Sequence, residues 1–177
     1  MAKQQWVSDA DHSELGFKIR HLMITNVSGK FTNFQVEAET DEEDFLTAKT
    51  KVSVDVDSVS TGNTQRDEHL RSPEFFDVNK YRNISFVATK YESIDNDGSY
   101  ALYGDLTIRD ITKSIKLDVE FGGVVKDPWG NTKAGFTING KINRKDFGLT
   151  WNGVTEAGGV MVSDEVKIMC EVQLLRK

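Results

Sequence analysis

Apolar and polar residues alternate with a period of two along most of this chain, the signature of strands with one buried and one wetted face. Leu15, Phe17, Ile19 and His21 alternate with Glu14, Lys18 and Arg20, and Phe34, Val36 and Ala38 alternate with Gln35, Glu37 and Glu39. In the run 46–57, Leu46, Ala48, Thr50, Val52, Val54 and Val56 share one phase against Lys49, Lys51, Ser53, Asp55 and Asp57. Further runs follow at 84–88, 102–108, 115–121, 134–142 and 166–174. The pattern predicts about eight amphipathic strands. Polar outer faces argue for antiparallel pairing, because a parallel sheet is normally covered by helices on both sides.

Turn signals separate the runs, among them Asp95-Asn96-Asp97-Gly98, Arg109-Asp110 and Asp127-Pro128-Trp129-Gly130-Asn131. One stretch, 58–83, breaks the alternation and looks locally helical over about 62–78. Thr64 is its expected N-cap, Ser72-Pro73 a second helix start, and Leu70, Phe75 and Phe76 its docking residues. Eight such strands can form a sandwich or close into a barrel, and closure removes exposed edges. Small residues recur on the inner faces: Ala38, Ala48, Ala88, Gly104, Ala134 and Gly140. They favour a ligand-holding lumen, in which Gly104→Leu or Ala134→Phe should reduce capacity more than stability. Large residues from facing strands could equally fill those gaps, leaving a packed core.

Composition narrows the class. The 177 residues suit one domain, 1–177, and the 38% hydrophobic share exceeds what a disordered chain carries. Two prolines leave the ladders nearly uninterrupted, and one cysteine, Cys170, excludes an intramolecular disulfide. A net charge of -6 gives little reason to bind nucleic acid. No apolar run is long enough for a membrane-spanning helix, so stable membrane insertion is not expected. The N-terminus shows no signal peptide, which reads as cytoplasmic as written and periplasmic if a leader was removed.

Catalytic motifs do not emerge. His12, His21 and His69 are the only histidines, and none falls in a metal-ligand motif, so no metal or required cofactor is expected. His21 lies in phase with an apolar face and reads first as a hydrogen-bonded wall residue, second as a ligand contact. His12, in Asp11-His12-Ser13, reads as a turn residue rather than part of a triad. Cys170 points inward, where a thiol behaves as a small hydrophobe.

The segment from Ser60 to Asp77, with Gly62-Asn63-Thr64-Gln65-Arg66-Asp67-Glu68-His69-Leu70-Arg71-Ser72-Pro73-Glu74-Phe75-Phe76 at its heart, strongly resembles the hallmark of the YceI-like family. Trp6, Asp11-His12-Ser13, Phe17, His21 and Gly29-Lys30-Phe31 match the family's opening pattern. Gly104-Asp105-Leu106-Thr107, Thr112-Lys113, Asn143-Arg144-Lys145-Asp146-Phe147-Gly148 and Val162-Ser163-Asp164-Glu165-Val166 continue it. The resemblance covers essentially the whole chain. It implies an all-β, lipocalin-like antiparallel barrel whose apolar lumen binds a polyprenyl lipid or an isoprenoid quinone, with a possible homodimer. The expected wall comprises Phe17, Ile19, His21, Phe31, Phe34, Val36, Val52, Val54, Val56, Phe86, Leu102, Leu106 and Ile108. It continues through Val119, Phe121, Phe136, Ile138, Ile142 and Phe147, with Leu70, Phe75 and Phe76 from the insert acting as a lid. Arg66, Asp67 and His69 read first as structural clips, second as head-group contacts. A non-catalytic carrier is the leading reading. An enzyme using Arg66, Asp67 and His69 as acid/base groups, or a self-associating structural module, is the alternative.

Overall fold

The computed structural model describes residues 2–94, 98–152 and 162–177. Its strands are β1 (Lys3–Ser8), β2 (Glu14–His21), β3 (Thr25–Phe31), β4 (Phe34–Asp41), β5 (Asp44–Asp55) and β6 (Val59–Ser60). After the helix α1 (Thr64–Arg71) come β7 (Asn83–Ser93), β8 (Ser99–Ile108), β9 (Ile111–Lys126), β10 (Thr132–Asn143) and β11 (Val162–Arg176). All pairings are antiparallel. The ring β1-β4-β5-β7-β8-β9-β10-β11 closes where Trp6, Val7 and Ser8 pair with Arg176, Leu175 and Leu174.

Both β1 and β2 lie along β11, and they form one N-terminal strand bent at the 3-10 turn Ala10–His12. Likewise β3 and β4 run back along β2 and β1, and β5 and β6 along β4 and β3. Counting each bent pair once gives an eight-stranded up-and-down barrel. That matches the eight alternating runs in the sequence.

Short polar side chains make the bends. Asp9 and Asp55 accept hydrogen bonds from the N–H groups of Asp11 and Asp57, two residues on, a local alternative to the ladder. Ser8, Ser13 and Ser58 then accept from Val36, Gln173 and Asn33 on neighbouring strands. Asp9 also holds Lys133 Nζ at 2.9 Å and His12 Nδ1 at 2.8 Å. The Lys133 ammonium, helped by His12, keeps the Asp9 carboxyl below its usual range. A depressed carboxylate contributes stability above its unfolded value, near pH 4, that is lost as pH falls through the folded one. Asp9→Asn should therefore lower the melting temperature at neutral pH and flatten its decline in acid, read from melting curves between pH 7 and 2.

Three expectations need correction. Leu46 is out of phase: Phe45 points inward at 6% exposure, while Leu46 lies 49% exposed. The ladder shifts register beside Glu39 and Asp41, so a bulge carries the strand from one phase to the other. The N-cap of α1 is Asn63, whose side chain accepts from Arg66 N–H, not Thr64. Ser72-Pro73 starts no helix, because Ser72 caps the end of α1 through bonds to His69 O and the chain continues in turns.

The inward small residues also play another part. A Cβ built on Gly104 would meet the Phe86 ring at 2.4 Å and Val87 O at 2.7 Å. One on Gly29 would meet the Phe17 ring at 2.4 Å, and one on Gly140 would meet Leu117 Cδ2 at 2.4 Å. The glycines are slots against which cross-strand neighbours lie flat, and those gaps are filled. Ala134 is fully buried and lies off the cavity lining. Gly104→Leu is thus expected to overpack the wall and cost about 3 kcal/mol, read from the urea midpoint, rather than to act mainly on ligand capacity.

Candidate functional site

The lumen is not filled. A cavity of about 600 Å³ runs inside the barrel, within the roughly 300–1,000 Å³ typical of ligand sites. Its wall takes residues from β11 between Val162 and Leu174. At about 3.3 Å per residue and a strand tilt near 40°, that stretch extends the site over roughly 30 Å of barrel axis. The shape suits one extended chain rather than a compact molecule.

The two ends differ. At the end where β1 meets β11, Trp6, Phe45, Phe121 and Phe136 form an aromatic plug. Phe45 lies 4.9 Å from both Trp6 and Phe136, and Phe121 lies 5.2 Å from Phe136, ring centre to ring centre. Trp6 is fixed in turn by donating Nε1–H to Thr40 Oγ1 at 2.9 Å. At the other end the lining becomes polar: Thr61, Asn63, Gln65, Arg66 and His69 face the cavity from α1 and the residues leading into it. Asn63 and Gln65 are also exposed, which makes this end the mouth.

Within the tunnel, polar atoms are few. Tyr91 and Thr50 share a hydrogen bond between their hydroxyls. Burial raises the phenols of Tyr91 and Tyr100, and it pushes the Cys170 thiol up to about 12. The thiol therefore stays protonated at neutral pH. Maleimide labelling of Cys170 should be slow at pH 7 and slow further when the lumen is occupied. Mass spectrometry of the labelled chain checks this.

Around the mouth, side chains hold the insert in place. Asp67 accepts from both the backbone N–H and the hydroxyl of Thr61, at 2.9 and 2.5 Å. Arg66 donates to Thr61 Oγ1 and Thr61 O, at 2.8 and 2.7 Å. His69 reaches Glu74 through Nε2 at 2.5 Å and packs edge-on against Phe75 and Trp151, with ring centres 5.0 and 4.7 Å away. Trp151 precedes β11, so this aromatic stack ties α1 to the connection between β10 and β11. Arg66 and Asp67 both close on Thr61, while His69 is committed to Glu74. The three do not converge on a shared point, as an acid/base set must.

Arg144, read from sequence only as part of a motif, is the most deeply placed charge. It is 2% exposed and lines the cavity. Its guanidinium donates to Leu149 O at 2.6 Å, Trp151 O at 2.7 Å and Ser163 O at 2.9 Å, with Val162 O at 3.5 Å. Burial lowers its pKa, opposed by Asp164. It joins both sides of the mouth's second connection.

Most of the expected wall lines the cavity, including the lid residues Leu70, Phe75 and Phe76. Val56, Phe121 and Phe147 do not: Val56 and Phe147 are buried in the packing around it, and Phe121 belongs to the aromatic plug. Asp67 is likewise off the lining. His21, expected on the wall, lines the mouth. Leu15, Val27, Tyr91 and Trp151 were not read as wall residues. Val27 and Leu15 carried the alternation signal, whereas Tyr91 enters only through a register shift after Ala88. No group of three or more metal-binding side chains comes together among the described residues.

A closed antiparallel barrel with one plugged end, a polar mouth and an apolar tunnel defines a lipocalin-like barrel. The YceI-like domain family model matches residues 6–174, and the chain belongs to that family. A UPF0312 protein of Staphylococcus aureus strain MSSA476 is 41% identical over 160 residues, covering 90% of each chain. The crystal structure of the Campylobacter jejuni YCEI protein is similar at 38% identity and a TM-score of 0.76, covering 90% of this chain and 91% of that one. A polyisoprenoid binding domain from Saccharophagus degradans shares the fold at 15% identity, with a TM-score of 0.68 and coverage of 97% and 98%.

Proposed function

We propose that this protein is a non-catalytic carrier that holds the chain of a polyprenyl lipid or isoprenoid quinone in its lumen. The long, narrow, apolar tunnel with a single polar end carries this reading. An isoprenoid chain offers no hydrogen-bonding groups, so apolar area is what recognises it, at about 0.8 kcal/mol per buried CH₂. The polar mouth then receives the head group, with Gln65 and Asn63 exposed there. Family membership and the polyisoprenoid-binding name of the Saccharophagus domain support the same ligand class. Arg66, Asp67 and His69 serve as clips first, because their bonds go to the insert itself.

Native mass spectrometry with a series of prenyl alcohols of increasing length tests the reading. Affinity should climb with each isoprene unit until the tunnel is full, and a head-group quinone lacking the chain should bind weakly. Equal affinity across the series, or a preference for the bare head group, contradicts it.

A further inference from the structure

The hairpin of β2 and β3 stands at the mouth end of the barrel and has a composition unlike the rest of the chain. Its tip is Leu22-Met23-Ile24, between the paired residues His21 and Thr25, and all three side chains are exposed, Ile24 by 71%. Leu22 and Met23 sit at φ 52° and 61°. Successive positive φ angles in a hairpin ordinarily call for Asn-Gly, and bulky side chains there are unfavourable. Arg20 braces the loop by donating Nε–H to Met23 O at 3.3 Å. Apolar residues are thus placed where both solvation and backbone preference oppose them.

Charge follows the same division. The chain carries a net -6, yet residues 15–36 contain Lys18, Arg20 and Lys30 and no carboxylate. The nearest acids on β11, Asp164 and Glu165, lie by Lys145 and Lys141 at 3.3 and 3.9 Å. Three side chains on a narrow tip offer far less than the roughly 800 Å² per partner of a stable protein interface. An apolar tip on a hairpin that from Leu15 to Phe31 carries cations and no carboxylate of its own matches the layered chemistry of a lipid surface, acyl chains beneath phosphates.

The opening of the cavity lies beside this tip. Strand β3 pairs with β6 only at Lys30 and Phe31. Its segment 25–29 has β2 on one side and no strand on the other among the described residues. Val27 and His21 from the hairpin, and Asn63, Gln65 and Arg66 from the α1 side, line the cavity there.

We propose that Leu22, Met23 and Ile24 insert into the outer layer of a lipid bilayer, bringing the mouth to the membrane so that a lipid chain enters the lumen without crossing water. This rests on the lipid-carrier reading for its purpose, and its test is separable. Flotation with phosphatidylcholine vesicles, with and without phosphatidylglycerol, measures docking. Capture of a prenyl alcohol from detergent micelles measures the lumen alone.

The wild type should float with both vesicles, more strongly when phosphatidylglycerol is present. Leu22→Asn combined with Met23→Gly supplies the residues the loop geometry favours, so the fold should be at least as stable. Vesicle binding should fall at least tenfold in this variant and in Ile24→Asp, and pick-up of lipid from vesicles should slow in step. Capture from micelles should not change. A wild type that floats with neither vesicle, or variants that float as well as it does, would overturn the proposal. So would a dimer that these substitutions dissolve without any vesicle binding. Failure of micelle capture in every form would count instead against the carrier reading.

Discussion

Replacing Arg144 by methionine is expected to cost about 4 kcal/mol of folding stability. The side chain's volume is roughly kept, but Leu149 O, Trp151 O and Ser163 O lose their donors together. Each buried polar group left unpaired costs about 1–3 kcal/mol, and partial hydration of the mouth keeps the total below the sum. For a chain of this length that corresponds to a fall of roughly 10 °C in melting temperature. Arg144→Lys should recover only part of it, since one ammonium cannot reproduce the planar fork that spans carbonyls on two segments. Differential scanning calorimetry decides the matter. A melting temperature within a few degrees of wild type would mean that the carbonyls find other donors and that Arg144 is no clasp.

The second large effect concerns the lumen. Ile138 on β10 lines the cavity opposite neither plug nor mouth, in register with Cys170 and Val119. Ile138→Trp directs an indole into open space, so the fold should tolerate it. A ring there shortens the chain that the lumen can hold. Turning three to four CH₂ groups out of the lumen, at about 0.8 kcal/mol each, lowers affinity for a long prenyl alcohol about a hundredfold. Short prenyl alcohols should be affected much less, and Ile138→Leu should bind as wild type. If Ile138→Trp binds long chains unchanged, the ligand does not lie in the lumen.

The alternation fixed more of this than any single motif, because a period of two survives bending. Runs such as 102–108 and 166–174 predicted faces that the barrel uses without change. What escaped was whatever interrupts the period. The bends at Asp9, Thr32-Asn33 and Val56–Ser58 split three long strands; Asp9 and Asp55 bond the local backbone, Thr32 and Asn33 reach across to Ser58 and Asp55, and alternation reports neither. The bulge near Phe45 reversed the phase, so Leu46 was read inward and the central residue of the aromatic plug was overlooked.

The small inner residues were legible as small but not as slots, since only the register reveals that Phe86 lies over Gly104 and Phe17 over Gly29. Arg144 was missed as a buried residue because a charge next to Lys145 and Asp146 reads as surface. Its burial depends on carbonyls up to 19 positions away. The insert was the reverse case. Its position was plain because it broke the pattern, and its Arg66 and Asp67 both bond Thr61.

Extraction of the purified native protein with organic solvent, followed by mass spectrometry, tests the central claim most directly. An isoprenoid lipid should be recovered at close to one molecule per chain, and much less from the Ile138→Trp variant. Extracts that stay free of isoprenoid, from a protein that also fails to take up added prenyl alcohol or quinone, would contradict it.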